Sequence, residues 1–403
     1  MTTLAQTSTI SWRSDATVIS LVGLAHASSH FSHLLLPLMF PVFMKTFGLN
    51  FSEAGALMSV FFVVSGVGQA SAGFVVDRVG PRPVLFTSLL IFALACLTAA
   101  SAQNYATLML AAAMLGLGNC AFHPVDFTIL NHKVSVPRLG YAFSAHGLTG
   151  NLGWAAAPTF MVGLSAMYDW RTAYLGAAVL FLLVLALLVW RRDILATAMV
   201  AHPKSEHTPH SLAFMKLPVV WWCFAFFFLS TMTFAVVQSF SVSILQAMHG
   251  VTFEAATMTL TAYLLCAAAG MFVGGFVAAR WPRHSDTVVA SCMSAGAVSM
   301  ALCGSGVLGA TASMTILAIT GLAIGIGGPS RDMMIKKATP KGATGRVYGM
   351  VYSGLDVGFA VSPLVFGVFM DHGWYGATLL GAALVLLGSV VVALGVGRRT
   401  VHA

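Results

Sequence analysis

The chain has 403 residues, of which 58% are apolar and only 8% are charged. A soluble protein of this length could not keep that composition without exposing a large apolar surface to water, so the composition indicates an integral membrane protein. The net charge of +8 is explained below by membrane topology, and it therefore gives no support to a role in nucleic-acid binding.

Apolar runs of about 20 residues follow one another along the whole chain, and each is long enough to cross about 30 Å of hydrocarbon as a helix. Twelve runs are found, centred near residues 30, 63, 92, 118, 151, 181, 231, 265, 296, 323, 356 and 386. The sequence therefore predicts an all-α integral membrane protein. Its domains are predicted to be a six-helix bundle at 1–192, a cytoplasmic linker at 193–215 and a second six-helix bundle at 216–403.

The second bundle repeats the first. Residues 47–78 align without a gap with residues 249–280, and Arg78 falls on Arg280. Further along, where the offset grows from 202 to 205 residues, the repeat pairs Gly116, Pro124, Gly140, Gly153 and Pro158 with Gly321, Pro329, Gly345, Gly358 and Pro363. A direct repeat in a membrane protein predicts two pseudo-symmetric bundles related by an axis along the membrane normal, which is typical of a secondary transporter.

The basic residues are unequally distributed between the predicted loops. If the N-terminus is cytoplasmic, 17 of the 20 Lys and Arg residues lie in cytoplasmic segments, with Lys45 and Arg171 outside and Arg331 at membrane depth. The positive-inside rule then predicts a multi-pass protein of a bacterial-type cytoplasmic (inner) membrane with both termini cytoplasmic. No cleavable signal peptide is expected, because the first 14 residues are polar and the first apolar run is too long.

The first apolar run carries three histidines, His26, His30 and His33. At about 100° per residue they lie within about 60° of one another on a helix, so they form one polar stripe. Lipid offers an imidazole no partner, so the stripe is predicted to face a cavity or another helix. Imidazoles titrate near an unperturbed pKa of about 6.5, so the stripe could carry protons. Helix packing with local hydrogen bonds is the alternative for each histidine.

The loop between the second and third runs reads G-F-V-V-D-R-V-G-P-R at residues 73–82. Asp77 is suited to a helix N-terminus or a basic partner, and Arg78 and Arg82 are suited to anionic lipid and nearby carboxylates. These three residues are predicted to clasp the bundles together when the cytoplasmic side is closed. A loop that only fixes topology is the alternative. The second copy carries Ala279 where Asp77 stands.

Polar residues at corresponding places of the repeat suggest a transport pathway. The fourth run ends with His123 and Asp126, and Asp126 falls on Arg331 of the tenth run. An acid and a base at the same depth on equivalent helices are predicted to form a salt bridge between the bundles that breaks as the cavity alternates, with a static pair as the alternative. Asn151 falls on Asp356, which is a further candidate for proton coupling.

The loop signature, the twelve helices and the repeat together resemble the major facilitator superfamily. The run H-A-S-S-H-F at 26–31, Pro37 and Pro41, and F-H-P at 122–124 are similar to fosmidomycin-resistance-type transporters. The resemblance implies proton-driven export, by antiport, of a small drug-like or anionic solute across the cytoplasmic membrane.

The predicted protein is therefore a monomeric secondary transporter without cofactors, and not an enzyme, because HxxxH without a following Glu lacks the metalloprotease arrangement and no Ser/His/Asp order stands out. Protons would be carried by Asp126, Asp356 or the histidine stripe, and the solute would be met by Arg331. Proton-coupled uptake of a small organic anion remains open. A metal-ion carrier also remains open, with His26, His30, His33 and His123 as ligands.

Overall fold

The computed structural model describes residues 11–197, 217–338 and 344–400. Within these ranges every regular element is a helix, which confirms the all-α prediction. The α-helices are α1 (Trp12–Leu34), α2 (Phe40–Phe47), α3 (Phe51–Val79), α4 (Pro81–Ala100), α5 (Tyr105–Asn119), α6 (Phe122–Lys133), α7 (Leu139–Met167), α8 (Trp170–Trp190), α9 (Pro218–His249), α10 (Phe253–Arg280), α11 (Ser285–Gly304), α12 (Ala310–Ala338), α13 (Thr344–Asp371) and α14 (Tyr375–Thr400). Most of the predicted linker, from residue 198 onward, lies outside the described residues.

The described helices make twelve membrane crossings, because two of the predicted runs each consist of two helices. The first crossing is α1 followed by a 3₁₀ turn at Pro37–Met39 and α2, whose second residue is Pro41, and proline cannot continue the hydrogen-bond pattern of a preceding helix. The fourth crossing is α5 followed by α6. Ten crossings are long and apolar enough to span a bilayer by composition alone. The other two are α1 and α7, which carry the polar residues described below.

The two copies of the repeat begin with the same local structure. Gly48 and Gly250 end α2 and α9 in left-handed conformation, with φ of 67° and 63°. Two residues later, Asn50 and Thr252 cap the N-termini of α3 and α10 with their side chains. A glycine tolerates positive φ without steric cost, and a side-chain oxygen satisfies a free backbone N–H at a helix start. The same short sequence pattern therefore produces the same turn in both bundles.

The repeat also preserves a tertiary contact. Gly116 on α5 lies against the backbone carbonyl of Phe61 on α3, and Gly321 on α12 lies against the carbonyl of Tyr263 on α10. The offset of 202 residues pairs Phe61 with Tyr263, so this is one contact made twice. A Cβ atom at either glycine would overlap the carbonyl, which explains why both copies hold the residue that lets helix backbones touch.

The helices pack as two groups, α1–α8 and α9–α14, which we call the first and second bundles. In the first bundle α1 packs on α7 and α4 packs on α5 and α8, and in the second α10 packs on α12 and α9 on α13 and α14. In the described residues the bundles meet mainly through two helix pairs, α3 with α13 and α7 with α10, and the 3₁₀ turn at Pro37–Met39 also contacts α9. Because the repeat pairs α3 with α10 and α7 with α13, each interface is the symmetry mate of the other.

The bundles are joined at the membrane side away from Arg78, Arg138 and Arg191. We call the side of these arginines the basic side, and the other the opposite side. At the opposite side, the carboxylate of Asp371, the last residue of α13, accepts hydrogen bonds from the backbone N–H groups of Phe51 (2.5 Å) and Ser52 (3.0 Å) at the start of α3, and from the Ser52 hydroxyl. Aromatic contacts of Phe51 with Phe240 and Tyr375 lie beside it.

The bundles separate toward the basic side. The α3–α13 contact continues to mid-membrane, where Gly66 faces the side chain of Asp356. Farther toward the basic side, no described atom of another helix lies within 4 Å of the Cβ position of Gly73 on α3 or of its repeat mate Gly275 on α10. Among the described residues, the contacts between the bundles therefore lie at the opposite side and at mid-membrane, with a gap at these two positions of the basic side.

Candidate transport site

The histidine stripe of α1 faces the inside of the first bundle. His26 and His33 are buried, with 2% and 7% of their surface exposed, and His30 is partly buried. The stripe meets α6 and α7, the helices that supply the other polar residues of the site. This arrangement agrees with the expectation that imidazoles avoid lipid.

Asp126 on α6 is the centre of the site. It is completely buried, and one of its carboxylate oxygens, Oδ2, lies 3.1 Å from Nδ1 of His26 and 3.1 Å from Nε2 of His146 on α7. The rings of His26 and His146 stack with their centroids 3.5 Å apart. The second oxygen, Oδ1, has no hydrogen-bond partner among the described residues. An acid held between two bases at membrane depth can gain or lose a proton with little rearrangement.

Two further histidines extend the cluster. The His30 ring lies 4.5 Å from the His26 ring and 4.1 Å from the Trp154 ring, and its buried Nδ1 has no hydrogen-bond partner in the described part of the chain. His123 lies 5.5 Å from His26, and its Nδ1 is 3.1 Å from Oε1 of Gln69 on α3. Four imidazoles and one carboxylate therefore form a continuous polar cluster, which we call the histidine cluster: His26, His30, His123, His146 and Asp126.

His33 belongs to a separate network. Its Nδ1 accepts from the indole N–H of Trp154 at 3.3 Å, so its Nε2 carries the proton and donates to Oδ1 of Asn119 at 3.1 Å. The Asn119 amide in turn donates to the Ser65 hydroxyl at 2.9 Å and accepts from the Ser29 hydroxyl at 2.6 Å. Both ring nitrogens of His33 are therefore occupied, and this neutral imidazole ties α1, α5 and α7 together.

The predicted bridge between Asp126 and Arg331 is not formed in this conformation. The Arg331 Nε lies 2.9 Å from Oδ1 of Asp332, its neighbour on α12, and its guanidinium lies over the Phe227 ring at 5.2 Å. Asp126 has its partners on α1 and α7. The physical reason is that both charges lie toward the basic side, beyond the described contacts between the bundles, so each is paired within its own bundle.

Asn151 and Asp356, which the repeat pairs, occupy equivalent places in the two interfaces. The Asn151 amide on α7 donates to the Gly147 carbonyl at 2.9 Å and contacts Sδ of Met271 on α10 at 3.5 Å. The Asp356 side chain on α13 packs against Gly66 of α3. Both polar groups therefore lie at the contact between bundles, where relative movement of the bundles would change their surroundings.

The predicted clasp residues lie at the basic end of α3 and α4. Asp77 and Arg78 are exposed, and within the described residues neither forms an ion pair. The Arg82 guanidinium donates to the backbone carbonyl of Arg192 at 3.3 Å, inside the first bundle. Within the described part of the chain, the three clasp residues therefore form no hydrogen bond or ion pair with the second bundle.

The sequence-based prediction missed His146 and Asn119. Both are polar residues inside apolar runs, which is the signal that could have identified them. The structure also groups possible metal ligands: in each of the sets His26, His30, His123 and His26, Asp126, His146, one ligand atom per residue lies within 4.8 Å of the others. Imidazole and carboxylate are donors suited to a transition metal ion.

The family model that matches the chain is that of the Major Facilitator Superfamily, over residues 22–292 and 224–402. The fosmidomycin resistance protein of Escherichia coli is 25% identical over 280 residues, or 67% of each chain. A probable L-galactonate transporter of Escherichia coli is 24% identical over 44% of this chain, and the transporter YfnC of Bacillus subtilis is 27% identical over 49%. This chain spans only 39% and 49% of the lengths of those two relatives.

Solved structures share the fold. The nucleoside transporter NupG (D323A mutant) has a TM-score of 0.76 over 95% of this chain and 99% of its own, at 16% identity. A bacterial homologue of the human lysosomal transporter Spinster, in an inward-facing and unoccupied conformation, has a TM-score of 0.71 over 97% of both chains, at 14% identity.

Proposed function

Because the chain belongs to the Major Facilitator Superfamily and is a secondary transporter rather than an enzyme, we propose that it exports a small anionic or drug-like solute in exchange for protons. The two bundles, residues 1–192 and 216–403, would rock as a monomer around the central site in a bacterial-type cytoplasmic membrane. The basic side would be cytoplasmic, as the positive-inside rule requires.

The proposal of proton coupling depends on the burial of Asp126 between His26 and His146. A carboxylate with two neutral imidazoles has a net charge of −1, and an ionised group at the centre of a membrane costs about 2.5–3.5 kcal/mol. Addition of one proton makes the cluster neutral, whichever residue holds it. Sealing the site from water would therefore favour the protonated cluster, and opening it to water would favour release, so that proton movement is linked to alternating access.

Arg331 supports an anionic solute. It is the basic residue that the repeat places opposite Asp126, and in this conformation its only described charge partner is its neighbour Asp332. A solute carboxylate or phosphate could replace that partner, since guanidinium groups bind such anions with two parallel hydrogen bonds. Two similar proteins have names that fit this proposal. One is a probable transporter of L-galactonate, which is a carboxylate, and the other is a fosmidomycin resistance protein.

The test is solute flux in proteoliposomes under an imposed pH gradient, with fosmidomycin and L-galactonate as separate probes. We expect the gradient to drive at least one probe, and Asp126→Asn to reduce that flux about tenfold or more while exchange without a gradient persists. His132→Gln is the matched control, since His132 is exposed and its ring is hydrogen-bonded to the Thr128 carbonyl on its own helix, away from the histidine cluster. Full gradient-driven flux in Asp126→Asn would contradict the proposed role of the cluster.

A metal-ion carrier is the second candidate, favoured by the two sets of ligand atoms within 4.8 Å. Here Ni²⁺ or Zn²⁺ would raise the thermal stability of the purified protein, because an ion that binds only the folded state stabilises it. Neither ion would do so in His26→Gln. Metal uptake into proteoliposomes without any flux of the organic probes would establish this function in place of the first.

A further inference from the structure

A groove lies between α1 and α8 on the lipid-facing surface of the first bundle, at the basic side. It has a volume of about 500 Å³. The lining residues that matter here are Trp12, Arg13, Ser20, Leu21, Leu187 and Arg191. We propose that this groove binds the headgroup and one acyl chain of an anionic phospholipid. The site is separate from the transport pathway and does not depend on the proposed function.

Two arginines stand at the mouth of the groove. Arg13 lies in the first turn of α1, and Arg191 directly follows Trp190, the last residue of α8. The Arg191 guanidinium lies over the Trp190 ring at 4.5 Å. Trp12 and Trp190 are 64% and 72% exposed, as is usual for indoles at the level of lipid headgroups. The mouth therefore presents two cations at the depth of the lipid phosphates.

The groove becomes apolar toward the membrane centre. Leu187 lies four residues before Arg191, and Leu21 lies eight residues after Arg13. At 1.5 Å per residue these leucines are about 6 and 12 Å deeper than the arginines. The exposed Ser20, which also lines the groove, lies directly before Leu21. Cations at the mouth and leucine side chains below them match the order of phosphate and acyl chain in a phospholipid.

Charge favours an anionic lipid over a zwitterionic one. Within the described residues neither Arg13 nor Arg191 forms an ion pair. Arg138, also at the basic side, instead pairs with the buried Asp15 at 2.7 Å. Basic residues close to a membrane surface attract anionic headgroups, and guanidinium binds phosphate oxygens with charge-assisted hydrogen bonds. A bound lipid would hold the beginning of α1, the helix that carries the histidine stripe.

The test is native mass spectrometry of the full chain released from nanodiscs that contain equal amounts of phosphatidylglycerol and phosphatidylcholine. We expect one phosphatidylglycerol to remain bound preferentially, and Arg13→Gln/Arg191→Gln to reduce its retention about fivefold or more. Arg280→Gln is the control, because Arg280 is exposed at the basic end of α10 in the other bundle. The Arg280→Gln variant should retain as much phosphatidylglycerol as the original chain does. Thermal unfolding midpoints would show that all variants are folded.

Three results would overturn the proposal. The first is equal retention of phosphatidylglycerol by the double variant and the Arg280→Gln control. The second is displacement of the lipid by inorganic phosphate at equal concentration, which would make the site a phosphate site without a chain-binding floor. The third is preferential lipid binding only after deletion of residues 2–10, which would mean that this segment fills the groove in the full chain.

Discussion

His30 and His33 are three residues apart on α1, but their hydrogen bonding differs completely. His33 uses both ring nitrogens, with Trp154 as donor and Asn119 as acceptor. His30 packs against the Trp154 ring, and no described residue forms a hydrogen bond with its buried Nδ1. The helical period of the sequence predicts that both face inward but cannot distinguish them, because the distinction depends on which side chains of α5 and α7 arrive beside each imidazole.

We expect His33→Leu and His30→Leu to separate stability from transport. His33→Leu leaves the partly buried indole N–H of Trp154 without its acceptor, and loss of a partner for a buried donor costs about 1–3 kcal/mol, so the unfolding midpoint of this variant should fall. His30→Leu breaks no hydrogen bond that the described residues form, so it should keep the midpoint near that of the original chain while impairing gradient-driven flux. Fluorescence-detected thermal unfolding and proteoliposome flux are the two measurements. An equal fall of both midpoints would refute the distinction.

His146 illustrates what residue patterns do not contain. The stripe on α1 and the acid at Asp126 are visible in the sequence because each is defined within one helix. The contact of His146 with Asp126 depends on how α6 and α7 approach each other after the intervening turn. No spacing along the chain encodes that approach, so the sequence could predict the members on α1 and α6 but not the complete histidine cluster.

At the level of elements, the start of α3 is capped from two directions. Asn50 accepts from the backbone N–H of Glu53 at 2.8 Å, and Asp371 of the other bundle accepts from Phe51 and Ser52. An anion at a helix N-terminus satisfies free N–H groups and interacts favourably with the helix dipole. Asn50 is predictable from its position before the helix, but Asp371 lies 320 residues from Phe51 and has no local signal.

We expect Asp371→Ala to favour opening at the opposite side. Hydrogen bonds to a charged group contribute about 1.5–3 kcal/mol each, and a net loss of about 1.4 kcal/mol would shift the equilibrium between conformations about tenfold. The measurement is alkylation of Phe240→Cys, which is buried in this conformation. Its rate should rise in the presence of Asp371→Ala.

Asp169→Ala provides the matched control for this latch. Asp169 caps α8 within its own bundle, where the Thr172 N–H donates to it at 2.6 Å and lowers the pKa of its carboxyl. Loss of this cap removes a comparable helix-terminal contact without separating the bundles. If Asp169→Ala and Asp371→Ala raise the alkylation rate equally, the effect is general loosening and the latch is wrong.

At the level of the whole molecule, twelve crossings and their repeat were predictable because hydrophobic length and a fixed offset are properties of sequence alone. The conformation was not, because both closed and open arrangements use the same helices. The antiparallel register of α3 and α13 indicates how the basic side would close. Gly66 on α3 faces Asp356 on α13. Because the two helices are antiparallel, Asp77, eleven residues after Gly66, is level with position 345, eleven residues before Asp356 and in the first turn of α13.

Asp77 would therefore meet the N-terminus of α13 when the basic side closes, just as Asp371 meets the N-terminus of α3 in the conformation described here. The two acids would stabilise opposite ends of the transport cycle, each by capping a helix of the other bundle. We expect Asp77→Asn to lower turnover about three- to tenfold without loss of expression. Ala279→Ser, at the repeat-equivalent position without an acid, should leave turnover unchanged.

The substitutions Asp77→Asn and Asp371→Ala should partly compensate each other when they are combined. Asp77→Asn destabilises the conformation closed at the basic side, and Asp371→Ala destabilises the one closed at the opposite side, so their effects on the conformational equilibrium have opposite signs. We expect the double variant to bring the Phe240→Cys alkylation rate back toward that of the original chain and to recover part of the turnover lost in Asp77→Asn. The alternative is that the relative turnover of the double variant equals the product of the relative turnovers of the two single variants. In that case the two acids do not act on one shared equilibrium.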